Sequence, residues 1–385
     1  MRSEARPVPY LEINFAVSLS RTVGALSPQF ARVRMQKSVL LVCLMLIAVS
    51  LGCQSRASQT PSAEPVSTLQ PSLGQKSNSF AQVLDYKVQE KLTLTNRGSV
   101  RPAKQNIWIA LIRDVSPYQT VYSMEITPDN YRLITDEYGN LYAEFDLADM
   151  PPGSTTSIHI QYQVAVHELI YDPASCEEPA LGLEIDSSGG NESPGSYLQP
   201  ELHVESNNVQ IMDLAQQLSQ GKQTACEKAR AFYDYVGDNL VYTYNQADWG
   251  AQATLGEMGA DCTEYASLMM ALCRAAGIPA RYIEGLLILG EETDASARTE
   301  HAWLEVYFPG SGWTPMDPTM GRFPINREKY FAAIPPNHII VTQGRHPSTL
   351  RGASYWTHLY WPGDSTEIRI EDFEWIVTPM HSLGN

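Results

Sequence analysis

Between Asp261 and Pro279 the chain leaves almost no choice of local structure. Asp261 is a strong N-cap residue, and Glu264, three on, completes a capping box by reaching back to the cap backbone. Gly277 supplies the left-handed position that ends a helix, and Pro279 prevents its continuation. Cys262, Ala266, Met269, Leu272, Cys273 and Ala276 fall on one side of this helix, and Leu268 and Met270 widen the apolar surface. A helix apolar around most of its circumference lies at the centre of its domain. The rest of that domain is expected to cover it.

The sequence of 385 residues is too long for one ordinary domain, and two is the natural expectation. From residue 80 to 172 the pattern is β. Val83–Thr95, Ile107–Ile112 and Ile158–Val166 alternate in part and are rich in β-branched and aromatic residues. Turn signals separate them at Asn96-Arg-Gly98, Glu137-Tyr-Gly-Asn140 and Pro151-Pro-Gly153. These features predict an antiparallel β-sandwich of roughly seven strands. Residues 173–200, with Pro, Ser and a Gly189-Gly190 pair, read as a linker. A second domain is expected over 201–345: helices at Val209–Ser219 and Thr224–Asn239, the latter with a Thr224/Glu227 capping box, then the central helix. Strands are expected at Arg281–Leu289, His301–Phe308 and Trp313–Asp317. Residues 346–385, with Tyr355-Trp356 and Tyr360-Trp361, read as a C-terminal extension of β or irregular covering structure. The expected fold class is α+β, a sandwich followed by helices and an antiparallel sheet in a papain-like arrangement.

The N-terminus reads as a targeting segment. Met35-Gln-Lys37 is a short basic start, Val39–Val49 is an apolar run too short to span a bilayer comfortably, and Ser50-Leu51-Gly52-Cys53 follows. Gly before Cys resembles a bacterial lipobox, which makes Cys53 the expected lipidation site and the membrane an expected partner. Leu stands two before the cysteine, where such motifs carry it three before. The alternative is an ordinary secretory signal or an uncleaved anchor. Residues 1–34 precede this segment, and Met35 competes with Met1 as the start. Residues 54–79, rich in Ser, Pro and Gln, are expected to be a flexible tether.

The formal charge is −16, and residues 1–52 hold six basic against two acidic side chains, so the remainder is more acidic still. Nucleic acid is excluded as an expected partner, because a phosphate footprint needs clustered Lys and Arg. Outside the cytoplasm a Cys176–Cys226 bridge is one option, although four thiols allow three full pairings. Cys273, three helical turns after Cys262, reads as a small buried hydrophobe.

Chemistry concentrates on three residues in order: Cys262 opening the central helix, His301 opening a strand, Asp317 closing the next. A thiol in the first turn of a helix sits beside unpaired backbone N–H groups and the positive end of the dipole, both of which favour thiolate. The same N–H groups can donate to a developing oxyanion. A lone histidine at a strand start is usually structural. Asp317 on the adjacent strand, placed to hold the imidazole tautomer, raises its standing.

Strand parity sharpens this. Pairing Phe308 with Trp313 across a four-residue loop puts Leu304 opposite Asp317, on the wrong face. Pairing Phe308 with Gly312 puts Trp303 opposite Asp317 and makes His301 its diagonal neighbour, roughly 7–8 Å away between Cα atoms. An odd-length hairpin loop or a bulge is therefore expected.

The segments Gly259-Ala-Asp-Cys262-Thr-Glu-Tyr-Ala266, Leu272–Tyr282, His301-Ala-Trp-Leu-Glu-Val-Tyr307 and Gly312-Trp-Thr-Pro-Met-Asp317-Pro-Thr resemble the bacterial transglutaminase-like core. The motifs cover about residues 255–321, and weaker similarity, including the Thr135–Asn140 turn of the preceding sandwich, extends over most of 80–345. The resemblance implies that Cys262 attacks a carboxamide or peptide carbonyl, His301 moves protons and Asp317 orients His301. A thioacyl-enzyme then passes to an amine or to water, and nothing in the triad selects between them. The substrate implied is a protein or peptide. No cofactor or metal is implied, and the calcium dependence of extracellular eukaryotic relatives has no matching motif here. Candidate side-chain oxyanion donors are Trp249, Gln252 and Tyr242. Trp303 would share the face of His301 and screen it. The four carboxylates of residues 291–300 read as a solvated loop. The alternatives to acyl transfer are a cysteine peptidase or amidase, and a non-catalytic surface binding or assembly protein.

Overall fold

A computed structural model describes residues 82–171, 193–244, 249–256, 259–289, 300–350 and 368–380. Six strands open the described chain: β1 (Val83–Asn96), β2 (Asn106–Leu111), β3 (Gln119–Thr127), β4 (Tyr131–Thr135), β5 (Leu141–Asp146) and β6 (Thr155–His167). Strict alternation makes β6 half-buried, with Ile158, Ile160, Tyr162 and Val164 inward and Ser157, His159, Gln161 and Gln163 outward. β1 follows the same period, burying Tyr86, Val88, Glu90, Leu92 and Leu94.

These strands form two antiparallel sheets. One has the order β2-β5-β4, and in the other β6 lies between β1 and β3. The fourth strand of the latter comes from the far end of the chain: β13 (Ile368–Met380) pairs antiparallel with β1 from Asp85↔Met380 to Asn96↔Ile368. Residues 368–380 of the expected C-terminal extension are thus a strand of this sheet. Without β13 the backbone of β1 would lack a partner along one edge, and the C-terminal strand supplies it. Tyr355, Trp356, Tyr360 and Trp361 lie outside the described residues.

The chain then runs through β7 (Leu169–Ile170), α1 (Val209–Leu218), α2 (Ala225–Asn239), α3 (Gly250–Thr254) and α4 (Cys262–Ala275). Next come β8 (Ala280–Leu287), β9 (Glu300–Phe308), β10 (Gly312–Met316), α5 (Pro318–Gly321), β11 (Ala333–Ile334) and β12 (His338–Gln343). A four-stranded antiparallel sheet has the order β10-β9-β8-β12, and β11 pairs with β7.

The central helix forms as its sequence dictates. Asp261 caps α4, its carboxylate accepting from the Thr263 N–H at 3.0 Å, while Glu264 accepts from the Asp261 N–H at 2.9 Å. Gly277 at φ +75° closes it, with Ile278 N–H donating to Cys273 O and Gly277 N–H to Arg274 O. Every residue from Cys262 to Arg274 is buried. The Thr224/Glu227 capping box on α2 is also present.

The β10-β9-β8-β12 sheet is covered on both faces. Ala302, Leu304, Val306 and Phe308 of β9 join α4 in one apolar cluster. Trp303, with Ile283 and Leu286 of β8 and Ile339 to Val341 of β12, joins the sandwich in the other. All described residues accordingly fall in one compact unit. Polar side chains tie the two halves at several points. Asn140 exchanges a pair of 2.8 Å hydrogen bonds with the Gln343 backbone, and Glu137 accepts from Thr349. The Thr135–Asn140 turn is thus a clamp on the end of β12.

Cys226 is disulfide-bonded, whereas Cys262 and Cys273 are free. Cys176, one of its possible partners, lies outside the described residues, as do Cys53 and the signal and tether readings of residues 1–79. Burial pushes the Cys273 thiol well above its ordinary pKa, in keeping with a small apolar packing role. Among the described residues no helix is long and apolar enough to cross a membrane.

Candidate active site

The site is assembled where the N-terminus of α4 meets the β9–β10 hairpin. The register of that hairpin is Gly312↔Phe308 through Met316↔Leu304, leaving Pro309, Gly310 and Ser311 as a three-residue loop. Gly312 adopts φ +75°, the left-handed residue that such loops require. Extending the register places Asp317 opposite Trp303 and diagonal to His301, as parity demands.

His301 Nε2 lies 2.8 Å from Asp317 Oδ2. The other ring nitrogen, Nδ1, is left for Cys262, whose thiol is within hydrogen-bonding reach of the imidazole. Cys262 and His301 each keep 7% of their surface exposed while Asp317 keeps none, so solvent touches the first two residues and not the carboxylate. Trp303 is fully buried and stacks on the His301 ring, 5.9 Å between centroids and 24° between planes.

Electrostatics bind the three groups. Burial, the largest influence on His301, disfavours its cation. The charge and hydrogen bond of Asp317, together with Cys262, outweigh it and raise the imidazole pKa to about 10. Burial likewise pushes Asp317 up, but His301 and a second histidine, His338, hold its carboxyl well below the usual range. Asp317 is also the N-cap of α5, its Oδ1 accepting from the Met320 N–H at 2.9 Å. Its two oxygens thus accept three donors, and they favour the charged form.

His338 was not anticipated from the sequence. Its Nε2 is 3.2 Å from the same Asp317 Oδ2, and it is fully buried. The only sequence signal was a single histidine opening an apolar strand. Two imidazoles and a carboxylate within 4.8 Å also make a donor set of the kind metals use. Both Nε2 atoms are also at hydrogen-bond distance from one oxygen, the arrangement of a carboxylate shared by two imidazoles.

The three oxyanion candidates fall differently. Tyr242 bridges to Ala260, and its hydroxyl is electrostatically coupled to Cys262. Trp249 is half exposed at the start of α3, its backbone N–H donating to Glu264 Oε1 at 2.9 Å. Gln252 is exposed on α3, and its backbone N–H donates to Glu205 at 3.0 Å. The acidic loop before His301 lies outside the described residues except for the exposed Glu300.

The fold defines a class: an α+β core in which a central helix abuts an antiparallel sheet, preceded by a β-sandwich. Residues 212–318 match the model of the transglutaminase-like superfamily, and the chain carries a domain of that superfamily. A solved structure of a candidate cysteine protease from Cytophaga hutchinsonii is similar over 79% of this chain and 93% of its own, with a TM-score of 0.57 and 18% identity. The periplasmic domain of TgpA from Pseudomonas aeruginosa aligns over 68% of this chain and 93% of its own at 18% identity and a TM-score of 0.31. Protein YebA of Bacillus subtilis is 32% identical over 130 residues, which are 29% of this chain and 17% of that protein. The chain therefore matches about a sixth of that relative's length.

Proposed function

We propose that this protein is a transglutaminase-like cysteine enzyme that forms a thioacyl intermediate on protein or peptide amides. The observation that supports this most is the 2.8 Å contact between His301 and Asp317 with Cys262 on the other side of the imidazole. The raised pKa of His301 favours an imidazolium beside Cys262 at neutral pH, the partner that an attacking thiolate requires. The thiolate attacks the carboxamide or peptide carbonyl carbon. The His301 proton passes to the leaving nitrogen, the C–N bond breaks, and an amine or ammonia departs from the thioester. An incoming amine or water then loses its proton to His301 as it attacks the thioester carbonyl. The C–S bond breaks to release the new amide or acid, and the thiolate–imidazolium pair is regenerated.

The N–H of Cys262, in the first turn of α4, is the backbone donor for the oxyanion, and Tyr242, which interacts electrostatically with Cys262, is the side-chain candidate. Release to water is the second reading, because the triad treats either acceptor alike. The disulfide at Cys226 fits an oxidising compartment, and with the signal-like N-terminus it supports an extracytoplasmic protein tethered through Cys53.

The test is direct. The protein and its Cys262→Ala variant are incubated with a glutamine-containing protein and a labelled primary amine. Cys262-dependent incorporation of label identifies acyl transfer, and release of ammonia or peptide without label identifies hydrolysis. Neither product, with Cys262 inert to alkylating probes, would sink the enzymatic reading in favour of a binding protein.

A further inference from the structure

We propose that His338 is a positioning residue of this site: a neutral second imidazole that donates Nε2–H to Asp317 and fixes the carboxylate toward His301. The inference rests on the catalytic reading above and adds to it a residue and a route by which the β-sandwich reaches the chemistry.

The geometry is specific. Asp317 Oδ2 accepts from His301 at 2.8 Å and from His338 at 3.2 Å. A carboxylate held by one donor can rotate about its Cα–Cβ and Cβ–Cγ bonds. Held by His338 on one side and the Met320 N–H on the other oxygen, it keeps Oδ2 aimed at His301. The ring is walled in by His301 at 5.7 Å, Trp303 at 5.0 Å and Tyr330 at 5.9 Å between centroids.

The charge state follows from the surroundings. The titratable groups facing the ring are Asp317 before α5, His301 on β9, and Lys329 and Tyr330 on the 3₁₀ turn Pro324–Tyr330. Burial, with His301 and Lys329, disfavours a cation and outweighs the pull of Asp317. Nδ1 lies 2.9 Å from Asn337 Oδ1, so two acceptors flank a ring with one proton. The charged carboxylate is the stronger acceptor, which selects the Nε2–H tautomer.

The ring is held by the sandwich as well as by its own strand. The Tyr118 hydroxyl donates to the His338 carbonyl at 2.6 Å. Gln119 brackets the next-but-one residue, its Nε2 donating to Ile340 O at 2.9 Å and its Oε1 accepting from Ile340 N–H at 2.8 Å. Tyr86 donates to Pro336 O at 3.0 Å. Three side chains of the N-terminal domain thus fix the backbone that carries His338.

The test compares His338→Gln with His338→Asn in the full-length protein. Gln can place an amide N–H where Nε2 lies, whereas Asn, one carbon shorter, cannot reach Asp317. The readout is the pH profile of Cys262 alkylation by iodoacetamide, with thermal melting recorded beside it. His338→Asn is expected to move the acid limb upward by about half a pH unit or more, because a wandering Asp317 supports the imidazolium less well. His338→Gln is expected to stay close to wild type. Profiles that coincide in all three proteins while melting temperatures differ would show a structural role only and overturn the proposal. A wild-type Cys262 with the pH dependence of an ordinary thiol overturns the catalytic reading itself, and this inference with it. Independently of any variant, ¹⁵N-histidine NMR of the wild-type protein is expected to show His338 as the Nε2–H tautomer. An Nδ1–H signal there overturns the proposal.

Discussion

Asp317 and His301 meet at 2.8 Å across a hairpin whose three-residue loop sets the parity of both strands. Their pKa values are driven apart: the carboxylate is held anionic and the imidazole cationic. As a stability element the pair has a defined window. The His301 contribution is complete below its unfolded value of about 6.5 and is lost as pH rises through its folded value. That of Asp317 is complete above roughly 3.9 and is lost as pH falls through its depressed value.

Asp317→Asn removes the anion while keeping the shape. The expected loss in kcat/KM is roughly a hundred- to ten-thousand-fold, as for the orienting aspartate of other triads. In wild type the imidazolium should persist until pH approaches about 10. Without the anion, burial prevails, and the alkaline limb of the pH–rate profile should retreat toward neutrality. An unchanged alkaline limb would show that Asp317 does not set the charge of His301.

Glu90 occupies an inward position of β1, between Ile160 of β6 and Trp375 of β13. Neither carboxylate oxygen has a hydrogen-bond partner among the described residues, and burial followed by the repulsion of Glu300 drives its pKa well above normal. The acid keeps its proton to higher pH when folded than when unfolded. Its effect is therefore absent below the unfolded value of about 4.3, and stability falls by up to about 1.4 kcal/mol per pH unit as pH rises from there to the folded pKa. Glu90→Leu should raise the melting temperature at neutral pH, with the gain vanishing near pH 4. A uniform gain across pH would mean that packing, not ionisation, is responsible.

The disulfide at Cys226 ties α2 to a cysteine elsewhere in the chain. Cys226→Ser should cost about 2–4 kcal/mol in denaturant unfolding. Cys262 alkylation in the folded variant should keep its pH profile, because Asp317 and Cys262 are the groups that raise His301. A shifted profile would reveal coupling between the bridge and the site.

Gly312 holds the hairpin loop in the left-handed region. Gly312→Val should destabilise by about 1–2 kcal/mol from backbone strain alone. If the chain relieves that strain by moving to a four-residue loop, Asp317 turns to the other face, and activity falls far more than stability. Equal melting and activity in the two proteins would refute the requirement for this loop geometry.

The parts of the site that were legible in the sequence are those encoded by neighbouring residues. The caps of α4 lie within three residues of their partners, and the parity of the hairpin is a count along the chain. These placed Cys262, His301 and Asp317. His338 escaped because an isolated histidine opening an apolar strand looks like any core residue. The sandwich was expected as a separate domain of about seven strands. Six of the strands in its two sheets came from that region, and the last was supplied by Ile368–Met380.

The sequence alone determined the local frame: a buried helix with a thiol at its first turn, and a hairpin that sets a carboxylate diagonal to a histidine. Periodicity, capping and turn chemistry act over a few residues, so they can be read without knowing the fold. Only the tertiary structure decided what surrounds that frame. The Tyr118 hydroxyl reaches the His338 carbonyl across 220 positions of chain. β13 closes a sheet that began nearly 300 residues earlier. Such contacts depend on which buried faces find each other, and a face carries no label naming its partner. The placement of Cys262, His301 and Asp317 is therefore written in the chain, whereas the contacts that His338 and the sandwich make around them are a property of the packed molecule.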